Sequence, residues 1–170
     1  MPLHDSQKGT LGEYLAWIYG TVGSDGELVF LSRTADMDHV DLAAGRRGGT
    51  TNLDIQVKMA SELDRDGYGA VRAEYAADRV RESHSFVYVV LLVAGTQVTR
   101  CWLIPSAAFN AGAYRHDHAG RVELQVRAHP ESEDRWSPFR LEPTTLGRAL
   151  LDLTSRLPQL PVEEGPPALP

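Results

Sequence analysis

The segment Phe86-Val87-Tyr88-Val89-Val90-Leu91-Leu92-Val93 constrains this chain more than any other. It is apolar at nearly every position and rich in valine. Side chains along a strand alternate between faces, so a strand of this composition must be buried on both. That is the mark of a central strand in a sheet covered on either side. The run is also far short of the roughly 20 apolar residues that a membrane-spanning helix needs. With 170 residues, 42% apolar and 24% charged, the chain has enough material for one domain with a true core.

Elements on either side of that strand follow from periodicity. Residues 6–20 predict an amphipathic helix, with Ser6 as its cap and Leu11, Leu15 and Ile18 as its inner stripe. Tyr14 and Trp17 lie near the same stripe, and Gly20 and Gly23 end the helix. Three strands are expected over Glu27–Ser32, His39–Ala44 and Asn52–Met59, the last two joined by a hairpin turn at Arg46-Arg47-Gly48-Gly49. Residues 61–69 read as a loop, and Ala70–Ser83 as a second helix through Val71, Tyr75, Ala76 and Val80. Gln97–Ile104 is a strand stopped by Pro105, Ser106–Phe109 a short helical turn, and Arg121–Arg127 a half-buried strand. Thr144–Leu157 is a final helix with Leu146, Leu150, Leu151 and Leu153 inside. This order predicts an α/β architecture with a mixed central sheet flanked by helices. Residues 1–157 form the domain, and the proline-rich residues 158–170 are expected to be a mobile tail.

Several function classes are excluded. The first residues carry neither the basic nor the apolar part of a signal peptide, so a cytoplasmic location is expected, with no membrane partner. The single cysteine, Cys101, allows no internal disulfide or zinc site and reads as core packing. No phosphate-binding loop and no serine elbow are present. His116 and His118 read as exposed loop histidines, and Trp17, Trp102 and Trp136 as core residues. A net charge of −6 argues against a strong general grip on nucleic acid. Arg33, Arg46, Arg47 and Lys58, followed by Arg65, Arg72, Arg79 and Arg81, still leave room for a local basic rim.

The third expected strand carries the chemistry. Leu53, Ile55, Val57 and Met59 point to one face, and Asp54, Gln56 and Lys58 to the other. Asp41 stands on the preceding strand. The Asp41 carboxylate, the Gln56 amide oxygen and the Val57 backbone carbonyl are hard oxygen donors of the kind Mg²⁺ takes. Lys58 is placed to orient a water or neutralise charge at a phosphate. Asp41 is preferred to Asp36 and Asp38 because it is set between Val40 and Leu42, where an acid needs a partner; Asp38 is the reserve. Asp54 is either a ligand to a second ion or a cap on the sheet edge. The ordinary alternatives are a salt bridge for Asp41, a solvent-facing side chain for Gln56 and an edge-strand charge for Lys58. His39 is a lesser candidate for touching a phosphate.

An acid opening one strand, followed by Leu53-Asp54-Ile55-Gln56-Val57-Lys58 on its hairpin partner, resembles the PD-(D/E)xK, or restriction-endonuclease-like, nuclease superfamily. The resemblance is to a bacterial branch with an Ile-Gln-Val-Lys strand, and Cys101-Trp102-Leu103-Ile104-Pro105-Ser106 is similar to that branch's later tryptophan-containing strand. Gly12-Glu13 resembles the helix whose glutamate approaches the metal, which makes Glu13 a further site candidate with a solvated helix face as the alternative. In element order the likeness runs over residues 9–157. It implies an endonuclease that hydrolyses DNA phosphodiesters with Mg²⁺ or Mn²⁺, in bacterial defence or DNA repair, and a protein partner or homodimer. Gln56 stands where the motif has a second acid. That departure, with the acidic charge, keeps a second reading open: a non-catalytic subunit of nuclease fold that binds DNA or a protein partner.

Overall fold

A computed structural model describes residues 4–32 and 39–157. Arg33, Asp36, Asp38 and the expected tail at 158–170 lie outside the described residues. In chain order the elements are α1 (Asp5–Gly23), β1 (Leu28–Ser32), β2 (Leu42–Arg46), β3 (Asn52–Ala60), β4 (Gly69–Ala76), β5 (Phe86–Ala94) and β6 (Gln97–Pro105). Then come α2 (Ser106–Gly112), β7 (Tyr114–His118), β8 (Arg121–Ala128), β9 (Arg140–Leu141) and α3 (Leu146–Arg156), with 3-10 turns at Ser137–Phe139 and Pro143–Thr145.

Among the described residues the strands form two sheets, one ordered β1-β2-β3-β5-β6-β9 and one ordered β4-β8-β7. In the larger sheet β3 and β5 run parallel and the other pairs antiparallel, so it is mixed as expected. β5 is buried from Phe86 to Val93, as its composition requires. The larger sheet separates two cores. On one side Leu53, Ile55, Val57, Val89 and Leu91 meet Leu15 and Ala16 of α1 and Leu146, Leu150 and Leu151 of α3. On the other, Tyr88, Val90, Trp102 and Ile104 meet Val71, Ala73, Tyr75, Leu124 and Val126 of the smaller sheet, with Phe109 and Trp136 closing the end.

The expected helix at Ala70–Ser83 is not formed. Gly69–Ala76 is a strand, β4, whose side chains alternate strictly between buried and exposed and pair with β8 from Gly69↔Ala128 to Ala76↔Arg121. Alanines at 70, 73 and 76 favour helix locally, but the period of two in Val71, Ala73 and Tyr75 matches the half-buried face of a sheet and prevails. The crossover between parallel β3 and β5 therefore passes through a strand of the second sheet instead of a helix.

The first helix buries Leu15 and packs Leu11 and Trp17 on the core as expected, but not the rest of the expected stripe. Ile18 and Tyr14 are 55% and 63% exposed. The buried face runs through Gly12, Leu15, Ala16 and Gly20. Small residues let the helix lie close to the sheet: a Cβ at Gly12 would come within 3.2 Å of the Met59 Cβ, and one at Gly20 would overlap the Phe30 ring. Gly20 thus sits within the helix, which continues to Gly23. The N-cap is His4 and not Ser6, with the His4 N–H donating to Gln7 Oε1 at 3.0 Å. No helix of the described residues is long and apolar enough to cross a membrane.

Candidate active site

β2 begins at Leu42, not at His39, and its register with β3 starts at Leu42↔Ile55. β3 continues to Ala60, so its second half extends past the pairing that β2 provides. The backbone turns at His39 with φ of +56°, in the left-handed region. The Asp41 N–H then donates to the Ile55 carbonyl at 2.9 Å. The Asp41 side chain takes over where the ladder stops: Oδ2 accepts the Val57 N–H at 2.6 Å. Such a charge-assisted bond contributes about 1.5–3 kcal/mol. The N–H and C=O of one strand residue face the same edge, so the Val57 carbonyl is turned to the edge that Asp41 occupies.

Gln56 and Lys58 flank Val57 and share the opposite face of β3, about 7 Å apart along the strand. Gln56 is not the solvent-facing residue of the ordinary alternative: it is only 3% exposed. The Tyr75 hydroxyl donates to Gln56 Oε1, and the Tyr75 and Tyr88 hydroxyls bond to each other. Burial pushes the Tyr88 phenol up to about 12. Tyr75 is raised further, by burial first and then by Tyr88 and the charge of Asp41. Both phenols are therefore neutral donors at physiological pH. Lys58 is half-buried, lies opposite Val90, and is partnered.

Glu13 follows Gly12, which packs on Val57 and Met59, so α1 approaches β3 from the face opposite to the Gln56 and Lys58 side chains. The Glu13 carboxyl is raised above its ordinary value, first by burial and then by the negative charge of Asp41. Two carboxylates thus oppose each other, a repulsion that a divalent cation relieves. Among the described residues no group of three or more His, Cys, Asp or Glu side chains could hold a metal ion. The oxygen donors of the candidate residues are instead two carboxylates, an amide bonded to Tyr75 and a backbone carbonyl. That mixture fits a hard cation that keeps several waters.

The other candidates fall elsewhere. Asp54 Oδ2 accepts from Arg81 at 2.6 Å, and Arg81 lies over the Phe86 ring, which makes Asp54 an ion-pair residue. His39 packs edge-on against Tyr75, 4.8 Å between ring centroids. His116 and His118 lie on the exposed strand β7 and not in a loop. Arg46 pairs with Glu27 at 3.3 Å, and Arg72 with Glu123 at 3.7 Å, so part of the expected basic rim is neutralised. Cys101 is buried, and burial raises its thiol to about 12, consistent with inert packing. Tyr75 and Tyr88 are the residues that sequence reasoning missed. The alternation Val71-Ala73-Tyr75 was the available signal, because it points Tyr75 inward.

No protein-family profile matches the sequence, and no curated protein does. The fold is similar to that of a bacterial homing endonuclease, I-Ssp6803I, at 15% identity over 86% of this chain and 91% of that one, with a TM-score of 0.55. A second match is Hjc, a Holliday junction resolvase of the archaeal hyperthermophile Archaeoglobus fulgidus, at 17% identity over 76% of this chain and 90% of that one. Its TM-score of 0.33 is below that of a shared fold. At these identities the likeness is one of architecture: a restriction-endonuclease-like α/β domain with a mixed central sheet and helices packed on it.

Proposed function

We propose that this chain is a metal-dependent endonuclease hydrolysing phosphodiester bonds of DNA, of the PD-(D/E)xK superfamily and its Ile-Gln-Val-Lys branch. The observation that carries this reading is the Asp41 carboxylate bonded to the Val57 N–H at 2.6 Å, with Gln56 and Lys58 on either side of Val57. Asp41, the Val57 carbonyl and Gln56 Oε1 would hold Mg²⁺ or Mn²⁺, with Glu13 in support. When bound, such an ion polarises a phosphoryl oxygen and lowers the pKa of a coordinated water. Asp41 would supply its carboxylate at the edge of β3. Lys58 offsets the charge that develops on the phosphate oxygens and orients the attacking water. DNA is the proposed partner, bacterial defence or DNA repair the proposed setting, and a cytoplasmic homodimer the form that would cut both strands of a duplex. The test is cleavage of plasmid and linear DNA with Mg²⁺ or Mn²⁺. Activity in the wild type that is lost in Asp41→Ala and Lys58→Ala supports the reading; equal activity in all three proteins, or none in the wild type, removes it.

One observation favours a second reading. Arg46, Arg72 and Arg81 of the expected basic rim are all ion-paired. A non-catalytic subunit of the same fold, binding DNA or a protein partner, would have these properties. Calorimetric titration with Mn²⁺ separates the two: binding that disappears in Asp41→Ala belongs to the enzyme, and DNA binding without any metal dependence belongs to the subunit.

A further inference from the structure

The sheet-side core contains a polar chain with a direction. A phenol has one proton to give. Tyr75 gives its proton to Gln56 Oε1, so the bond between the two hydroxyls must run from Tyr88 to Tyr75. The order is Tyr88 to Tyr75 to Gln56, each bond polarising the next. Surrounding groups hold both rings in place. Tyr88 stacks on Phe109 with 3.6 Å between centroids and 9° between planes, and Tyr75 is only 1% exposed.

We infer that Tyr75, with Tyr88 behind it, is the positioning residue that fixes which end of the Gln56 amide serves the site. The inference rests on the metal-dependent reading above. The terminal torsion of glutamine is roughly two-fold, and its two ends differ chemically: the oxygen can ligate a cation and the NH₂ cannot. A buried amide with no fixed partner can present either end. A hydroxyl that donates, and is itself supplied with a proton by Tyr88, pairs with the amide oxygen and not with its NH₂. A carboxylate at 56 would add a negative charge next to the strand edge that Asp41 occupies, whereas the amide adds none. Partners that orient a metal ligand in this way typically change metal affinity about 10–100-fold when removed.

The experiment measures free Mn²⁺ by electron paramagnetic resonance during titration of wild type, Tyr75→Phe, Tyr88→Phe, Gln56→Glu and the double variant Gln56→Glu/Tyr75→Phe, with thermal unfolding recorded for each. Tyr75→Phe is expected to weaken Mn²⁺ binding about 10–100-fold. Tyr88→Phe, which leaves the Tyr75 hydroxyl in place, is expected to weaken it less. In the Gln56→Glu background the same Tyr75→Phe change is expected to cost little, because a carboxylate has no wrong end. A purely structural Tyr75 would cost the same in both backgrounds, and that result overturns the inference. So does wild-type affinity in Tyr75→Phe, or a larger loss in Tyr88→Phe than in Tyr75→Phe. Should Tyr75→Phe not fold, Tyr88→Phe binding Mn²⁺ as well as wild type overturns it too. A wild type that does not take up Mn²⁺ removes the endonuclease reading itself, and the role of Tyr75 with it.

Discussion

The two cores on either side of the large sheet are built on different principles. The helix-side core is lined by Leu53, Ile55, Val89, Leu91, Leu146 and Leu150, none of which has a polar side-chain atom to orient. The sheet-side core contains the hydroxyls of Tyr75 and Tyr88, the amide of Gln56, and a buried Trp102 indole nitrogen and Asn110 oxygen without hydrogen-bond partners. The first core is specified by volume and the second also by the direction of its hydrogen bonds. Volume tolerates exchange among side chains of similar size. A buried donor or acceptor does not tolerate loss of its counterpart. β3, like β5 and β6, faces both: its odd residues pack against helices, and its even residues include Gln56 and Lys58 of the proposed site. Stability and reaction should therefore separate according to which face of β3 is altered.

The largest effect should come from the edge of β3. Asp41→Ala is expected to reduce cleavage by about 1,000-fold or more, the scale of losing a charged group from a metal-assisted reaction. It also frees the Val57 N–H, at a cost of about 1–3 kcal/mol. Kinetics with urea unfolding checks both, and cleavage within tenfold of wild type breaks the assignment. Leu91→Ala, in the helix-side core, should show the reverse: about 3 kcal/mol lost in urea unfolding, with activity per folded molecule unchanged. A drop in specific activity there would mean that the two cores are not independent. Arg81→Met removes one partner of Asp54 at a partly buried site and is expected to cost about 1–2 kcal/mol with little change in cleavage. Activity lost along with stability would return Asp54 to the site.

The smallest effect sharpens the comparison through pH. The Glu13 carboxyl holds its proton more tightly in the folded chain than in the unfolded one, because of burial and Asp41. The folded state then binds more protons, and stability falls as pH rises above the unfolded value of 4.5. Glu13→Gln removes that loss. Its melting temperature should exceed that of wild type at pH 7, and the gap should close below pH 4.5, as thermal scans across pH would record. A lower melting temperature than wild type at pH 7 would show that the Glu13 charge is already compensated.

Much of this organisation was legible in the sequence. β5 declared itself through uninterrupted apolar residues, β3 and β8 through alternation, and α3 through its leucines. Asp41, Gln56 and Lys58 could be singled out because a period of two places Gln56 and Lys58 on one face and a hairpin brings Asp41 near them. Two things were hidden. β4 was hidden by its alanines, whose local preference is helical although their partners on β8, Arg127, Leu124 and Arg121, lie far along the sequence. Tyr75 was lost with it, and Tyr88 was absorbed into an apolar run in which its hydroxyl went unnoticed. On α1 the expected stripe of Leu11, Leu15 and Ile18 holds for Leu11 and Leu15, which meet the core, whereas Ile18 is exposed because close approach turns Gly12 and Gly20 inward.

The passage of the chain through β4 on its way from β3 to β5 has a consequence for how the molecule assembles. Parallel β3 and β5 align only after a long excursion is closed, and the excursion itself is held by β8, which is made later in the sequence. Closure over such distances is slow. During synthesis α1 and the β1–β3 meander can collapse early, while Gln56 waits for its phenol until Val122 and Leu124 have emerged and docked. A nascent chain would thus acquire its shape before its candidate site, and a truncation ahead of β8 should yield a protein that collapses without the bond between Tyr75 and Gln56.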